Sequence, residues 1–190
     1  GANLADRLRP AEADADDAVL TSAIRSALSD NPWFVFHNMV LSLQSIASSL
    51  QSGEVERFVQ SYVNDIKETS PPLTVSVIMA GNLPLVGFHD FFCVVLSGNR
   101  FLGKLSSGDK HLLPALARIM VRWYPELERL IGFSKGILTH FDAVIATGNN
   151  NSSRYFEYYF EKYRLIIRKH RKSLAVLNGS ESTEDLVNLG

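Results

Sequence analysis

Apolar side chains recur at three- and four-residue intervals through the first third of the chain. Leu20, Ile24, Ala27 and Leu28 mark one helical stripe, and Val35, Met39, Leu43 and Ile46 a second. Between them the pattern breaks at Asn31-Pro32, which reads as an N-cap followed by a proline at the first helical position. Val55, Phe58, Val59, Tyr62 and Ile66 line one face of a third helix, expected from Gly53 to Lys67, and Pro71-Pro72 closes the region.

Beyond Pro72 the character changes. Leu73 to Ala80, LTVSVIMA, is a β-branched apolar run ending at Gly81, as expected of a strand covered on both faces in a parallel sheet. A helix is expected over Leu85–Leu96 and a short strand over Arg100–Leu105. A long helix should then run from Asp109 to Leu130, bent or broken at Pro114 or Pro125. A third strand is expected over Phe141–Thr147 (FDAVIAT), a helix over Ser152–Tyr163, a fourth strand over Ser173–Leu177 (SLAVL), and a last helix after Thr183-Glu184-Asp185. Four alternations of strand and helix predict an open parallel α/β sheet wound by helices. The chain thus divides into an N-terminal helical region, residues 1–70, and an α/β domain, residues 71–190.

Composition narrows the function classes. Of 190 residues, 46% are hydrophobic and 21% charged, enough to build a core and unlike a disordered segment. Nineteen basic against 20 acidic side chains leave a net charge of −1, which gives no electrostatic reason for a nucleic-acid or acidic-membrane partner. The single cysteine, Cys93, rules out an internal disulfide and a cysteine-rich metal site, and points to a reducing, cytoplasmic setting. No apolar run approaches the roughly 20 residues of a membrane helix. Gly1 to Pro10 are polar and mixed in charge, unlike a signal peptide. The chain stops at Asn188-Leu189-Gly190, within an expected helix, so it is read as truncated. Homo-oligomerisation is left open.

In open parallel sheets, ligands bind beyond the carboxyl ends of the strands. Three such ends carry glycine or polar residues: Gly81-Asn82-Leu83-Pro84, Lys104-Leu105-Ser106-Ser107 and Thr147-Gly148-Asn149-Asn150-Asn151-Ser152. At the third, Gly148 would admit a phosphate to the backbone, and the helix start behind it would offer amide donors. Each loop has a plainer reading as a turn, with Ser152 a helix cap. Three on one edge favour a nucleotide. There is no G-x-G-x-x-G fingerprint and no P-loop.

Three segments together carry a family resemblance: NLPLVGFHDFFCVVLSGNRFLGKLSSGDKHLLP (Asn82–Pro114), FDAVIATGNNNSSRYFEYYF (Phe141–Phe160) and IIRKHRKSLAVLNG (Ile166–Gly179). They resemble the aldehyde dehydrogenase superfamily, and within it the acyl-CoA reductases related to the fatty-acid reductase of bacterial bioluminescence. The resemblance runs from about residue 72 onward. It implies a Rossmann-like cofactor domain, incomplete here, of an enzyme that reduces fatty acyl-CoA to aldehyde. A cysteine thiolate would attack the thioester, and NADPH would reduce the acyl-enzyme. By position, Asn82 matches the asparagine whose amide stabilises the oxyanion, and Lys104 the lysine that binds the adenosine ribose. Gly148 and Asn149 fall where the superfamily has a Gly-Ser pair beside the pyrophosphate, with Asn149 replacing the serine. Where many NAD-preferring relatives carry Lys-x-x-Glu, this chain has Ser107 in place of the acid, which implies NADPH. The family's nucleophile lies downstream of Gly190.

Cys93 does not fill that role: its neighbours Phe91-Phe92 and Val94-Val95-Leu96 predict a buried thiol of raised pKa. His89 and Asp90 are adjacent and do not face each other on a helix, so they read as a surface or core-edge pair. His37, His111, His140 and His170 form no metal-ligand spacing. Arg164, Arg168, Lys169, Arg171 and Lys172 suggest either a phosphate-rich ligand such as CoA or, more simply, a solvated loop before the last strand. The alternative to the reductase is a non-catalytic α/β nucleotide-binding or assembly module that keeps the fold without the chemistry.

Overall fold

The computed structural model describes residues 10–64, 71–169 and 175–189. Its elements in chain order are α1 (Pro10–Asp30), α2 (Phe36–Ser49), α3 (Ser52–Gln60), β1 (Thr74–Ile78), α4 (Phe88–Leu96), β2 (Arg100–Lys104), α5 (Leu112–Trp123), a 3-10 turn (Pro125–Leu130), β3 (Ile131–Phe133), β4 (Ala143–Thr147), α6 (Asn150–Phe160), β5 (Arg164–Arg168) and α7 (Thr183–Asn188). The five strands form one open, all-parallel sheet in the order β3-β2-β1-β4-β5. This is a Rossmann-like α/β fold.

β1 is central and meets the condition its composition implied: Ser76 and Val77 point to opposite faces and both are buried. Phe91 of α4 and Phe101 of β2 meet edge to face at 4.9 Å between ring centroids. They belong to a single apolar cluster that also takes in Ala23 and Ala27 of α1, Phe34, and Met39 of α2. The helical first third therefore shares its core with the sheet. Asp16 adds a polar tie, accepting from Trp123 Nε1 at 2.8 Å and pairing with Arg122 of α5 at 2.7 Å.

Several expectations need correction. α1 ends where Asn31-Pro32 predicted a break, but the next helix starts at Phe36 with Val35 at its N-cap, and Asn31 is engaged elsewhere. α3 stops at Gln60; its expected end, Lys67, lies outside the described residues. α4 begins at Phe88 rather than Leu85, because Leu85 has φ 59°, in the left-handed region. The long helix does break at Pro125, whereas Pro114 sits in the first turn of α5, where its missing N–H costs nothing. β3 was not expected.

The last strand was misplaced. Ala175–Leu177 are not in a strand, and Ser173 and Leu174 lie outside the described residues. The fifth strand is Arg164–Arg168, paired in register with β4 from Ala143↔Arg164 to Thr147↔Arg168. Its two arginines disguised it as a loop. At a sheet edge, however, one face stays open, and Arg164, Ile166 and Arg168 all lie exposed there.

Candidate functional site

The topology locates a crevice. β1 continues to β2 on one side, while the chain leaving β3 crosses to β4 on the other. The switch point therefore lies between the carboxyl ends of β1 and β4. In register, Lys104, Ile78 and Ala146 stand level on β2, β1 and β4. Neighbouring strands are about 4.8 Å apart, so the three loops leaving them share one edge. Asn82 and Gly148-Asn149 flank the switch point; Lys104 and Ser107 lie one strand further out. Asn82, Ser107 and Asn149 are exposed, and Lys104 is half-buried.

The local contacts of these residues differ. Asn149 is the N-cap of α6: its Oδ1 accepts from the Ser152 amide at 2.9 Å, and its carbonyl accepts from Ser153 N and Oγ. The capping role considered for Ser152 thus belongs to Asn149. Gly148 is needed for close packing, since a Cβ there would stand 2.9 Å from both Phe156 and Ser152 side chains. Lys104 donates from Nζ to the Gly136 carbonyl at 2.6 Å, in the loop after β3.

The strongest polar structure on this edge was not legible from spacing. Asn31 is buried, and its Nδ2 donates to Gly108 O at 2.9 Å and Gly81 O at 3.3 Å, while its Oδ1 accepts from Trp33 N at 3.0 Å. Gly81 and Gly108 are themselves pressed together: a Cβ on Gly108 would stand 2.7 Å from Gly81 O. Asp109, also buried, accepts the Leu85 amide through Oδ2 at 2.7 Å. Its Oδ1 is buried with no hydrogen-bond partner among the described residues. Outside, Asp30 gathers His111 at 2.7 Å and Lys110 at 2.9 Å, and the hydrogen bond from His111, then that from Lys110, holds its carboxyl below the ordinary value.

Burial pushes the Asp109 carboxyl above its ordinary 3.8, and the Leu85 and Leu112 amides offset this only in part. A raised folded-state pKa means that the native chain holds the proton more tightly than the unfolded chain. The associated stability is present below the unfolded value and is lost as pH rises through the folded value. Asp109→Asn keeps an acceptor for Leu85 but does not titrate. Urea midpoints measured from pH 3.5 upward should show wild type losing ground to the variant over that window, then a constant gap. Parallel curves throughout would mean that Asp109 is not perturbed.

The remaining sequence candidates separate. His89 and Asp90 do not pair. Asp90 is buried and receives Arg168 at 2.7 Å (Nη2) and 3.2 Å (Nε), so Arg168 belongs to an ion pair rather than to a solvated loop. Lys169 pairs with Glu157, while Arg171 and Lys172 lie outside the described residues. Cys93 is half-buried rather than buried, with Sγ 3.6 Å from His89 Nε2. Its thiol is nevertheless pushed up, by burial first and then by Asp90. Among the described residues no three His, Cys, Asp or Glu side chains are grouped to hold a metal. No helix among them is long and apolar enough to cross a membrane.

Beside the Asn82 loop a groove of about 580 Å³ opens between α2, α3 and the start of α4. Ile46, Val55, Phe58, Leu85, Phe88 and Phe92 give it an apolar lining, with Arg57 and His89 among its polar groups. Its size is in the range of small-molecule sites.

The fold and this edge define an open, parallel, Rossmann-like α/β unit with its loops gathered at a topological switch point. Neither a protein-family model nor a curated protein matches the chain.

Proposed function

We propose that the chain is the cofactor-binding part of an NADPH-dependent acyl-CoA reductase of aldehyde dehydrogenase type, acting on fatty acyl thioesters. The observation that carries this reading is the gathering of Asn82, Lys104, Ser107 and Gly148-Asn149 on one carboxyl edge around the β1/β4 switch point. The Asn82 amide would donate to the thioester oxygen as charge builds there. The groove beside it is apolar enough for the acyl chain. Lys104 and the exposed Ser107 hydroxyl would hold the adenosine end, with a hydroxyl at the position where a glutamate would repel a 2′-phosphate. NADPH, when bound, supplies the hydride. The Cys93 thiol, pushed up by burial and by Asp90, is poorly suited to act as nucleophile. The cysteine of the proposed reaction would lie outside this sequence, whose one cysteine is Cys93.

The fit is uneven along the edge. Asn149 is engaged in capping α6, and Gly148 is closed over by Phe156 and Ser152. Lys104 would have to exchange the Gly136 carbonyl for the ligand. These internal contacts occupy the groups a nucleotide would need, and so favour the second reading in its assembly form, a non-catalytic module that keeps the fold.

Titration of NADPH and NADH into wild type, Lys104→Ala and Ser107→Glu separates the two. The reductase reading expects NADPH to bind tighter to wild type. Lys104→Ala should weaken it by about ten- to a hundredfold, the loss of one charged contact of about 1.5–3 kcal/mol. Ser107→Glu should shift the preference to NADH. Equal affinity for both cofactors in all three proteins would remove the basis for the assignment.

A further inference from the structure

We propose that Asn31 and Asp109 are positioning residues: together they hold the loop that carries Asn82 in its working shape. The role assigned to Asn82 rests on the reading above; the clamp itself does not. The loop between β1 and α4 has two fixed points on either side of Asn82. Upstream, the Gly81 carbonyl accepts from the buried Asn31 side chain, which also holds the Gly108 carbonyl of the neighbouring loop. Downstream, the Leu85 amide donates to the buried Asp109 carboxylate at 2.7 Å.

Leu85 needs such a partner. Its φ of 59° is a conformation that a γ-branched residue avoids unless its surroundings over-determine it. Leu85 is buried, and its carbonyl accepts from Phe88 N at 2.9 Å in the turn that starts α4. The left-handed turn at Leu85 thus decides where Asn82 ends and where α4 begins. Neither clamp comes from the loop itself. Asn31 is supplied by the N-terminal helical region, 50 residues upstream of Gly81, and Asp109 by the loop after β2. The helical region is therefore part of the site as well as of the core it shares with the sheet, so the clamp is tested by single side-chain changes.

Amide hydrogen exchange and the backbone amide resonance of Asn82 test this on the 190-residue chain, in wild type, Asn31→Ala, Asp109→Ala and Asp109→Asn. Ile119→Ala, a buried change further along α5, serves as a control for general destabilisation. The clamp predicts that Asn31→Ala and Asp109→Ala speed exchange at Leu85 about tenfold or more beyond what the control shows at matched stability. The backbone amide resonance of Asn82 should move away from its wild-type position in both. Asp109→Asn, which keeps the acceptor, should restore both readouts. If the two alanine variants leave Leu85 exchange and the Asn82 resonance like the control, the positioning role is overturned. The same follows if Asp109→Asn behaves like Asp109→Ala. Failure of cofactor discrimination in the titrations above would sink the reductase reading and leave the clamp result standing.

Discussion

Phe91→Ala is expected to lower the unfolding free energy by about 3–5 kcal/mol, the usual cost of emptying a fully buried aromatic position. Phe91 has no exposed surface, and its ring stands edge-on to Phe101 at 4.9 Å and tilted against Phe88 at 5.9 Å. Beyond the cavity, each such aromatic pair adds about 0.5–1.5 kcal/mol. Phe91→Leu, which keeps much of the volume, should cost less. Equilibrium urea unfolding of both variants checks the order and the size. A loss for Phe91→Ala no greater than for Phe91→Leu would mean that the ring is not the keystone between α4 and β2. The position matters for function because α4 follows directly on the Asn82 loop. Loosening its first two turns should blur the site even where the sheet survives.

Gly81→Ala should be nearly as costly, through strain rather than through a cavity. A Cβ at this position would stand 2.7 Å from Ser106 Cβ, closer still to its hydroxyl, and 3.0 Å from the Asp109 amide. Separation of the two loops would stretch the Asn31 bridge between Gly81 and Gly108. Overpacking of this kind costs about 1–3 kcal/mol, and the bridge adds to it because its carbonyls are left unpaired. Ser106→Gly removes the nearest atoms, so the double variant should recover a large part of the loss. A thermodynamic cycle over the two positions measures that coupling. If Ser106→Gly gives no rescue, the close approach of these loops is not what Gly81 is for.

Much of the architecture was legible because it follows from local chemistry. Alternating apolar strands and amphipathic helices reported a parallel sheet, and the carboxyl ends of three strands marked the candidate edge. Pro125 ended a helix for a reason contained in its own ring. β5 was hidden because Arg164 and Arg168 raise its polarity, and only an edge position with one open face makes that composition compatible with a strand. β3 has three residues, too few for any period to show. The strand ends were readable at Asn82, Lys104 and Asn149; their present partners were not. The contacts of Lys104 with Gly136 and of Asp90 with Arg168 join residues far apart in the chain.

By itself, then, the sequence determined the fold class, the glycines and polar residues at the strand ends, and the single thiol held in an apolar stretch. Those properties depend on side-chain type and spacing, which act within a few residues. The tertiary structure alone decided that Asn31 is a buried bridge rather than a helix cap. It also decided that Leu85 turns left-handed against Asp109 and that the helical first third completes the candidate edge. The physical reason is that a buried amide or carboxylate takes whichever donor or acceptor the packed chain brings within reach, and spacing along the sequence does not specify that partner.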